Sequence, residues 1–408
     1  MKQRPGIQCA GSRAHLPFHV RFLPLNWYRG VLELYPRRGL IPLLSVFLLL
    51  ILALATAPAA SEPGRATRVQ PAKSVQDPAL AKARQRVLGA QPLSLIFYVD
   101  DPQGRAALQA HAAAVTVLSP QGFGLDAKGT LRGHVADSAL GVAREAGVPL
   151  LPLVANPGFD RRTAHLLLHN VAAQERAAQA LAARAAAEHY LGWQLDFEGL
   201  DPADEPAYTR FVTRVAQLLH RQHRLVSVAV VPRFADNYPS RSPEGFFTGE
   251  WGAAYDYRGL GRVCDFVVLM AYDQHTPLTP PGPVAGYDWT KAALLYALDR
   301  VPAEKLVLGV PFYGREWDES AQATTAHSLA YADLDQFRQD PASESHWDEL
   351  GRTPWFERRD GGVRRSAWFD DARSLHEKLK LVETYHLRGY AAWRLGVEDP
   401  AFWDPVPE

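Results

Sequence analysis

Leu191-Gly192-Trp193-Gln194-Leu195-Asp196-Phe197-Glu198 is the stretch on which the reading of the fold turns. Side chains alternate faces along a β-strand, so Gln194, Asp196 and Glu198 share one face and Trp193, Leu195 and Phe197 the other. A strand with one strongly apolar face and one face of amide and carboxylates needs two different environments. A (β/α)8 barrel supplies both. The apolar set meets the surrounding helices, and the polar set points inward toward the C-terminal mouth, where barrel active sites lie. Polar groups aimed into a barrel are costly without partners or a task. Two carboxyls this close repel when both are ionised, which raises the pKa of one and keeps a glutamic acid protonated near neutral pH, ready to act as a general acid. A polar network that merely closes the barrel is the competing use of the same residues.

Working outward, short apolar runs alternate with longer helical stretches. Strands are expected at residues 94–98, 114–118, 148–154, 192–197, 225–231, 264–271, 305–311 and 387–393, and helices include 172–190 and 206–223. Eight strands alternating with helices predict an α/β fold, a (β/α)8 TIM barrel. About 75 residues separate the seventh strand from the eighth. Within them, two strand-like runs flank Asp360-Gly361-Gly362 as a hairpin, so residues 314–368 are expected to form a small α+β insertion, with a helix over 372–384 returning to the barrel. The barrel as a whole is assigned to residues 92–408.

The N-terminal part differs in composition. Residues 40–55 read LIPLLSVFLLLILALA, preceded by Arg37 and Arg38. Residues 39–60 are expected to be a signal peptide or a membrane anchor, behind a basic segment 1–38. Residues 61–91, rich in Ala, Pro, Arg and Gln without an apolar period, read as a linker. The expected location is the cell envelope, periplasmic or extracellular, either secreted or held by the hydrophobic segment if that is uncleaved.

Lys+Arg and Asp+Glu are both 44, so no electrostatic argument favours nucleic acid as a partner. The two cysteines, Cys9 and Cys264, offer neither a disulfide framework nor a metal spacing. His165 and His169 stand four apart, which permits two ligands on one helix face. The intervening Leu166-Leu167-Leu168 lacks a catalytic Glu, so the pair reads as helix surface, and no metal site is assigned.

The opening stretch resembles the catalytic signature of glycoside hydrolase family 18, D-G-x-D-x-D-x-E. Gly192, Asp196 and Glu198 match, while Leu191 and Gln194 replace the first and second Asp. Met270-Ala271-Tyr272-Asp273 is similar to the family's M-x-Y-D. Pro311-Phe312-Tyr313-Gly314 resembles its seventh-strand end, and Gly389-Tyr390-Ala391-Ala392-Trp393-Arg394-Leu395-Gly396 its floor-forming tryptophan motif. These motifs span roughly residues 93–403 in the family's order. Asp196-Phe197-Glu198-Gly199, His275, Pro281-Gly282-Pro283 and Trp289 bring the likeness closest to the branch associated with spore and cell-wall peptidoglycan.

The resemblance implies a substrate-assisted, retaining cleavage of a polysaccharide containing N-acetylglucosamine, whether peptidoglycan, exopolysaccharide or chitin-like, without a cofactor. It implies catalytic roles for Glu198, Asp196 and Tyr272. Gln194, Met270, Asp273, Trp393, Tyr313, Arg315 and His275 are the expected substrate-binding set, and a monomer is expected. The alternative is a catalytically inactive, lectin-like barrel of the envelope, which Gln194 keeps open because an amide cannot share a proton as the family's second Asp does.

Overall fold

The computed structural model describes residues 77–236, 251–319 and 324–405. Eight parallel strands pair in sequence order: β1 Leu93–Tyr98, β2 Val117–Leu125, β3 Leu153–Ala155, β4 Gly192–Asp196, β5 Leu225–Val230, β6 Phe266–Leu269, β7 Leu306–Pro311 and β8 Gly389–Trp393. The ring closes where β8 pairs with β1, Leu93 opposite Gly389 and Ile96 opposite Ala392. With no free edge, every strand carries hydrogen bonds on both sides. The expected (β/α)8 barrel is the observed one.

Helices α1 Pro78–Gly89, α2 Pro102–His111, α3 Asp137–Glu145, α4 Arg161–Leu168, α5 Val171–Ala187, α6 Glu205–His220, α7 Tyr257–Val263 and α8 Tyr287–Leu298 precede the insertion. The short α9, Asp335–Arg338, lies within it, and α10 Ala372–Thr384 follows it.

Two apolar layers result from strand alternation. Leu95, Phe97, Val117, Leu153, Leu191, Leu225, Phe266, Val268 and Val307 fill the barrel interior. Trp193, Leu195 and Phe197 face outward into the layer shared with the helices. There the Trp193 indole donates to Leu181 O of α5 (2.9 Å), and the Phe197 ring lies 5.8 Å from Phe211 of α6. The face assignment read from the strand alternation therefore holds. Gly192 is required by the closeness of β5, since a Cβ there would stand 1.7 Å from Leu225 O.

Three local expectations are corrected. Part of the segment expected to be a linker, within residues 61–91, is α1. Asp77 caps it, accepting from the Ala79 and Leu80 amides, and Pro78 occupies its first turn. Its Val87 is fully buried among interior residues at the N-terminal end of the barrel, with Leu80, Ala83 and Leu88 packed alongside. Arg86 ties the helix to Gly147 O (2.7 Å) and Val115 O (2.9 Å), so α1 plugs the barrel floor. The second strand starts later than expected and runs further, because Ala112–Ala114 form a 3-10 turn. The third strand is shorter, with Leu150 making only an isolated bridge to Leu118.

Between β7 and α10, strands Thr324–Leu329, Gly314–Glu319, Val363–Trp368, Thr353–Asp360 and Glu344–Asp348 form an antiparallel sheet in that spatial order. The hairpin around Gly361-Gly362 is present, both glycines having positive φ. The chain leaves this sheet through Asp370, which is buried against Lys378 and accepts from Ser374 Oγ (2.6 Å). The hydrophobic segment 39–60 lies outside the described residues. Among the described residues, no helix is long and apolar enough to cross a membrane.

Candidate active site

The inward face of β4 carries Gln194 and Asp196, and Glu198 follows at the strand's C-terminal end. Gln194 has no exposure, and neither its Nε2 nor its Oε1 has a hydrogen-bond partner; the same is true of Asp196 Oδ1. Glu198 keeps partial exposure at the mouth. Among the described residues no Lys, Arg or His forms an ion pair with Asp196 or Glu198. Burial alone pushes the Asp196 carboxyl up to about 7. Glu198 is held well above the usual carboxylate range, first by burial, then by the charges of Asp196 and Asp273, against the opposing pull of the Trp251 indole. A protonated glutamic acid beside a second carboxyl that ionises only around neutral pH is thus the state this site favours.

The position of Glu198 is fixed through its backbone. Asn156, just after β3, donates Nδ2–H to Glu198 O (2.9 Å) and accepts from the Glu198 amide at Oδ1 (3.0 Å). Tyr255 donates its hydroxyl to Phe197 O (2.6 Å). Arg161 Nε donates to Gly199 O (3.1 Å). Gly199 has a φ of 65°, and a Cβ there would meet Phe159 O at 2.6 Å, so the turn immediately after the acid suits glycine alone.

The end of β6, two strands along the ring, supplies a further wall. Met270 continues the inward row of Phe266 and Val268, and Tyr272 follows, both nearly buried. Tyr272 meets the Tyr313 ring edge-on at 6.3 Å. Gly309 of β7 makes room for it, since a Cβ there would lie 3.1 Å from Tyr272 Cε1. Asp273 adopts a φ of 63°, unusual for a residue with a side chain. Its Oδ1 accepts from both the Tyr313 hydroxyl and the Arg315 guanidinium. Burial, reinforced by the Asp273 charge, raises Tyr313 well above an ordinary phenol, so its proton stays on. Arg315 is itself buried, and it enters from the first strand of the insertion.

Trp393 ends β8, half-buried, with its ring 5.3 Å from Phe97 of the interior and its carbonyl accepting from Phe312 N (2.7 Å). The structure therefore gathers Gln194, Asp196, Glu198, Met270, Tyr272, Asp273, Tyr313 and Arg315 at one end of the barrel, with Trp393 on a neighbouring strand end. His275 is engaged with its own loop, through Nδ1 and Pro280 O (2.9 Å) and against Gly282. Sequence reasoning missed Asn156, Trp251 and Tyr255. All three come from other segments, and only Asn156 carries a local signal, as a polar residue just beyond an apolar strand.

A protonated carboxylic acid, a buried second carboxylate and phenolic donors around a mouth are equipped for acid-assisted cleavage of an ether-like bond with charge stabilisation beside it.

The family model described as "Glycosyl hydrolases family 18" matches residues 163–398. Among curated proteins, the chain is 24% identical over 323 residues to the uncharacterized glycosylase YvbX of Bacillus subtilis, covering 78% of this chain and 91% of that one. It is 28% identical over 295 residues to the cortical fragment-lytic enzyme of Bacillus subtilis, covering 71% of this chain and 66% of that enzyme, just under two thirds of its length. Among solved structures, a chitinase from Chromobacterium violaceum superposes with a TM-score of 0.69 at 27% identity, covering 76% of this chain and 96% of that one.

Proposed function

Because the chain belongs to the glycosyl hydrolases family 18, we propose that it cleaves an N-acetylglucosamine-containing polysaccharide of the cell envelope by a substrate-assisted, retaining mechanism. The observation that carries this reading is the pair of buried Asp196 and part-buried Glu198 at the barrel mouth, raised in pKa and, among the described residues, without a neutralising cation. Glu198 protonates the glycosidic oxygen as the bond to the anomeric carbon breaks. The substrate's own acetamido carbonyl closes on that carbon, so no enzyme nucleophile is needed. Asp196 orients the acetamido N–H and stabilises the developing oxazolinium charge, and Tyr272 donates its hydroxyl to the acetamido oxygen. Trp393 forms the floor under the reacting sugar. Met270, Gln194 and Asp273 line the subsite, while Tyr313 and Arg315 hold Asp273. His275 contributes from the adjoining loop. Glu198, now a carboxylate, removes a proton from the incoming water as its oxygen bonds to the anomeric carbon and the acetamido oxygen leaves that carbon, so the original configuration returns.

The name of the cortical fragment-lytic relative supports peptidoglycan, and that of the chitinase supports a chitin-like polymer. The envelope location rests on the hydrophobic run at residues 40–55 and on the kind of substrate. One observation favours a second reading, a barrel that binds sugar without cutting it: the fully buried Gln194 stands where the family pattern has an aspartate. The two readings separate when product release from purified peptidoglycan and from N-acetylglucosamine oligomers is measured for the parent and for Glu198→Gln. Cleavage by the parent alone supports the hydrolase. Equal sugar binding by both, with no cleavage by either, sinks it in favour of the lectin.

A further inference from the structure

The loop that leaves Glu198 ends at Asp204, whose side chain is wholly buried. Two imidazoles from the end of α4 converge on it. His165 Nδ1 lies 2.9 Å and 3.1 Å from its two carboxylate oxygens, and His169 Nε2 lies 2.8 Å from Oδ1. Among the described residues no Lys or Arg pairs with Asp204; its only ion-pair partners are these two histidines. The sequence spacing showed the histidines alone, and the fold adds the carboxylate.

We propose that His165, His169 and Asp204 form a binding site for a first-row divalent transition metal, zinc foremost, that fastens the loop behind Glu198 to helix α4. The three donor atoms lie within 4.8 Å of one another. In a tetrahedral zinc site, with metal–ligand bonds of about 2.0–2.2 Å, donor atoms stand roughly 3.4 Å apart. Each imidazole therefore has to withdraw from Asp204 by about half an ångström. Both can do so, because each is about half exposed, with side-chain exposures of 51% and 50%.

That exposure also gives the ion an entry path and leaves a fourth position for water. Two imidazoles with one carboxylate suit zinc and its neighbours, not magnesium or calcium, which take oxygen ligands. His169 caps the C-terminus of α4, where the helix dipole favours a cation. A bound metal takes the place of any ring protons directed at Asp204 and brings its own positive charge to this buried carboxylate.

The site's position gives the metal a consequence. Asn156 and Arg161, just before α4 and at its start, already hold the backbone of Glu198 and Gly199. A metal between α4 and Asp204 closes a second bond across the same two segments, six residues after the acid. It rigidifies the support of Glu198 without touching substrate, and the inference does not depend on which polymer is cut.

The test uses the full-length protein. Metal content is measured after incubation with zinc chloride and desalting, alongside thermal unfolding in zinc, magnesium or chelator. The parent is expected to retain one equivalent of zinc, and its unfolding midpoint should rise by about 4 °C when free zinc exceeds Kd a hundredfold. His165→Ala and His169→Ala, both at half-exposed positions that leave the buried Asp204 in place, should each weaken binding at least tenfold. Failure of the parent to retain zinc overturns the proposal. So does undiminished binding by the double variant, or an equal response to magnesium.

Discussion

Asp196 and Asp370 are both aspartates with almost no exposure, 5% and 1%, yet they sit in opposite electrostatic settings. Asp370, where the chain returns from the insertion to the barrel, is buried with the Lys378 ammonium and the Ser374 hydroxyl on the same oxygen. Burial still lifts its carboxyl above the ordinary value, but Lys378 pulls it back. Each keeps one oxygen without a hydrogen bond, Asp370 Oδ2 and Asp196 Oδ1, but among the described residues no cation pairs with Asp196, and burial acts on it unopposed. A fold that places a salt bridge behind one buried aspartate and, among the described residues, no cation behind another leaves the second available for the role proposed for it. Asp370 is built for the native state, and Asp196 at a cost to it.

This contrast fails at once if Glu198→Gln retains activity, because the unpaired pair would then have no catalytic use. The expected result is a loss of about 10³–10⁴-fold in kcat with the fold intact, checked by turnover of N-acetylglucosamine oligomers and by circular dichroism. Lys378→Met attacks the other aspartate. It leaves Asp370 buried without its cation and should cost about 3–5 kcal/mol of stability by denaturant unfolding, with kcat of the remaining folded protein unchanged.

Asp196→Asn should have the reverse signature, a loss of about a hundredfold in kcat together with a gain in stability at pH 8. The sign follows from linkage. The folded carboxyl titrates near 7 and the unfolded one near 3.8, so its favourable contribution is complete below about pH 3.8 and is lost as pH rises through about 7. Between pH 5 and pH 8 the parent should therefore lose roughly 1–4 kcal/mol that the variant keeps. The smallest effect is expected from Tyr272→Phe, a fall of about tenfold in kcat/KM with little change in the unfolding midpoint, because one donor is lost and no charge is stranded.

The barrel was legible because strand interiors leave a strong mark. Eight apolar runs with helices between them are hard to arrange otherwise, and β4 displays both its faces in eight residues. Asp196 and Glu198 could be read from the face alternation of β4, whereas Tyr272 could be named only through the resemblance of Met270-Ala271-Tyr272-Asp273 to a family motif; all three lie at or just beyond strand ends, which define the mouth. What was missed is non-local or weakly patterned. Asn156, Tyr255 and Trp251 act on the Glu198 segment from other loops. Helix α1 escaped notice because a single fully buried side chain, Val87, left no apolar period to detect. Its start was nonetheless marked by Asp77-Pro78, a cap and a first-turn proline. Asp204 joins the two histidines only through the turn after β4, which no helix spacing encodes.

The insertion enters two residues after β7 ends and leaves directly into the Asp370–Lys378 pair. Along its length it is fastened to the β6–α8 loop by the Arg315–Asp273 ion pair, by Trp317 Nε1 donating to Thr279 O (3.3 Å) and by Tyr287 N donating to Gly351 O (2.8 Å). Breaking the buried Arg315–Asp273 pair by removing one partner is expected to cost about 3–5 kcal/mol, which makes a swinging motion of this wall expensive. The sheet therefore behaves as a fixed jamb and not as a door. On the proposed function, selection among glycans then falls to the resting shape of the mouth and not to a closure around the correct one.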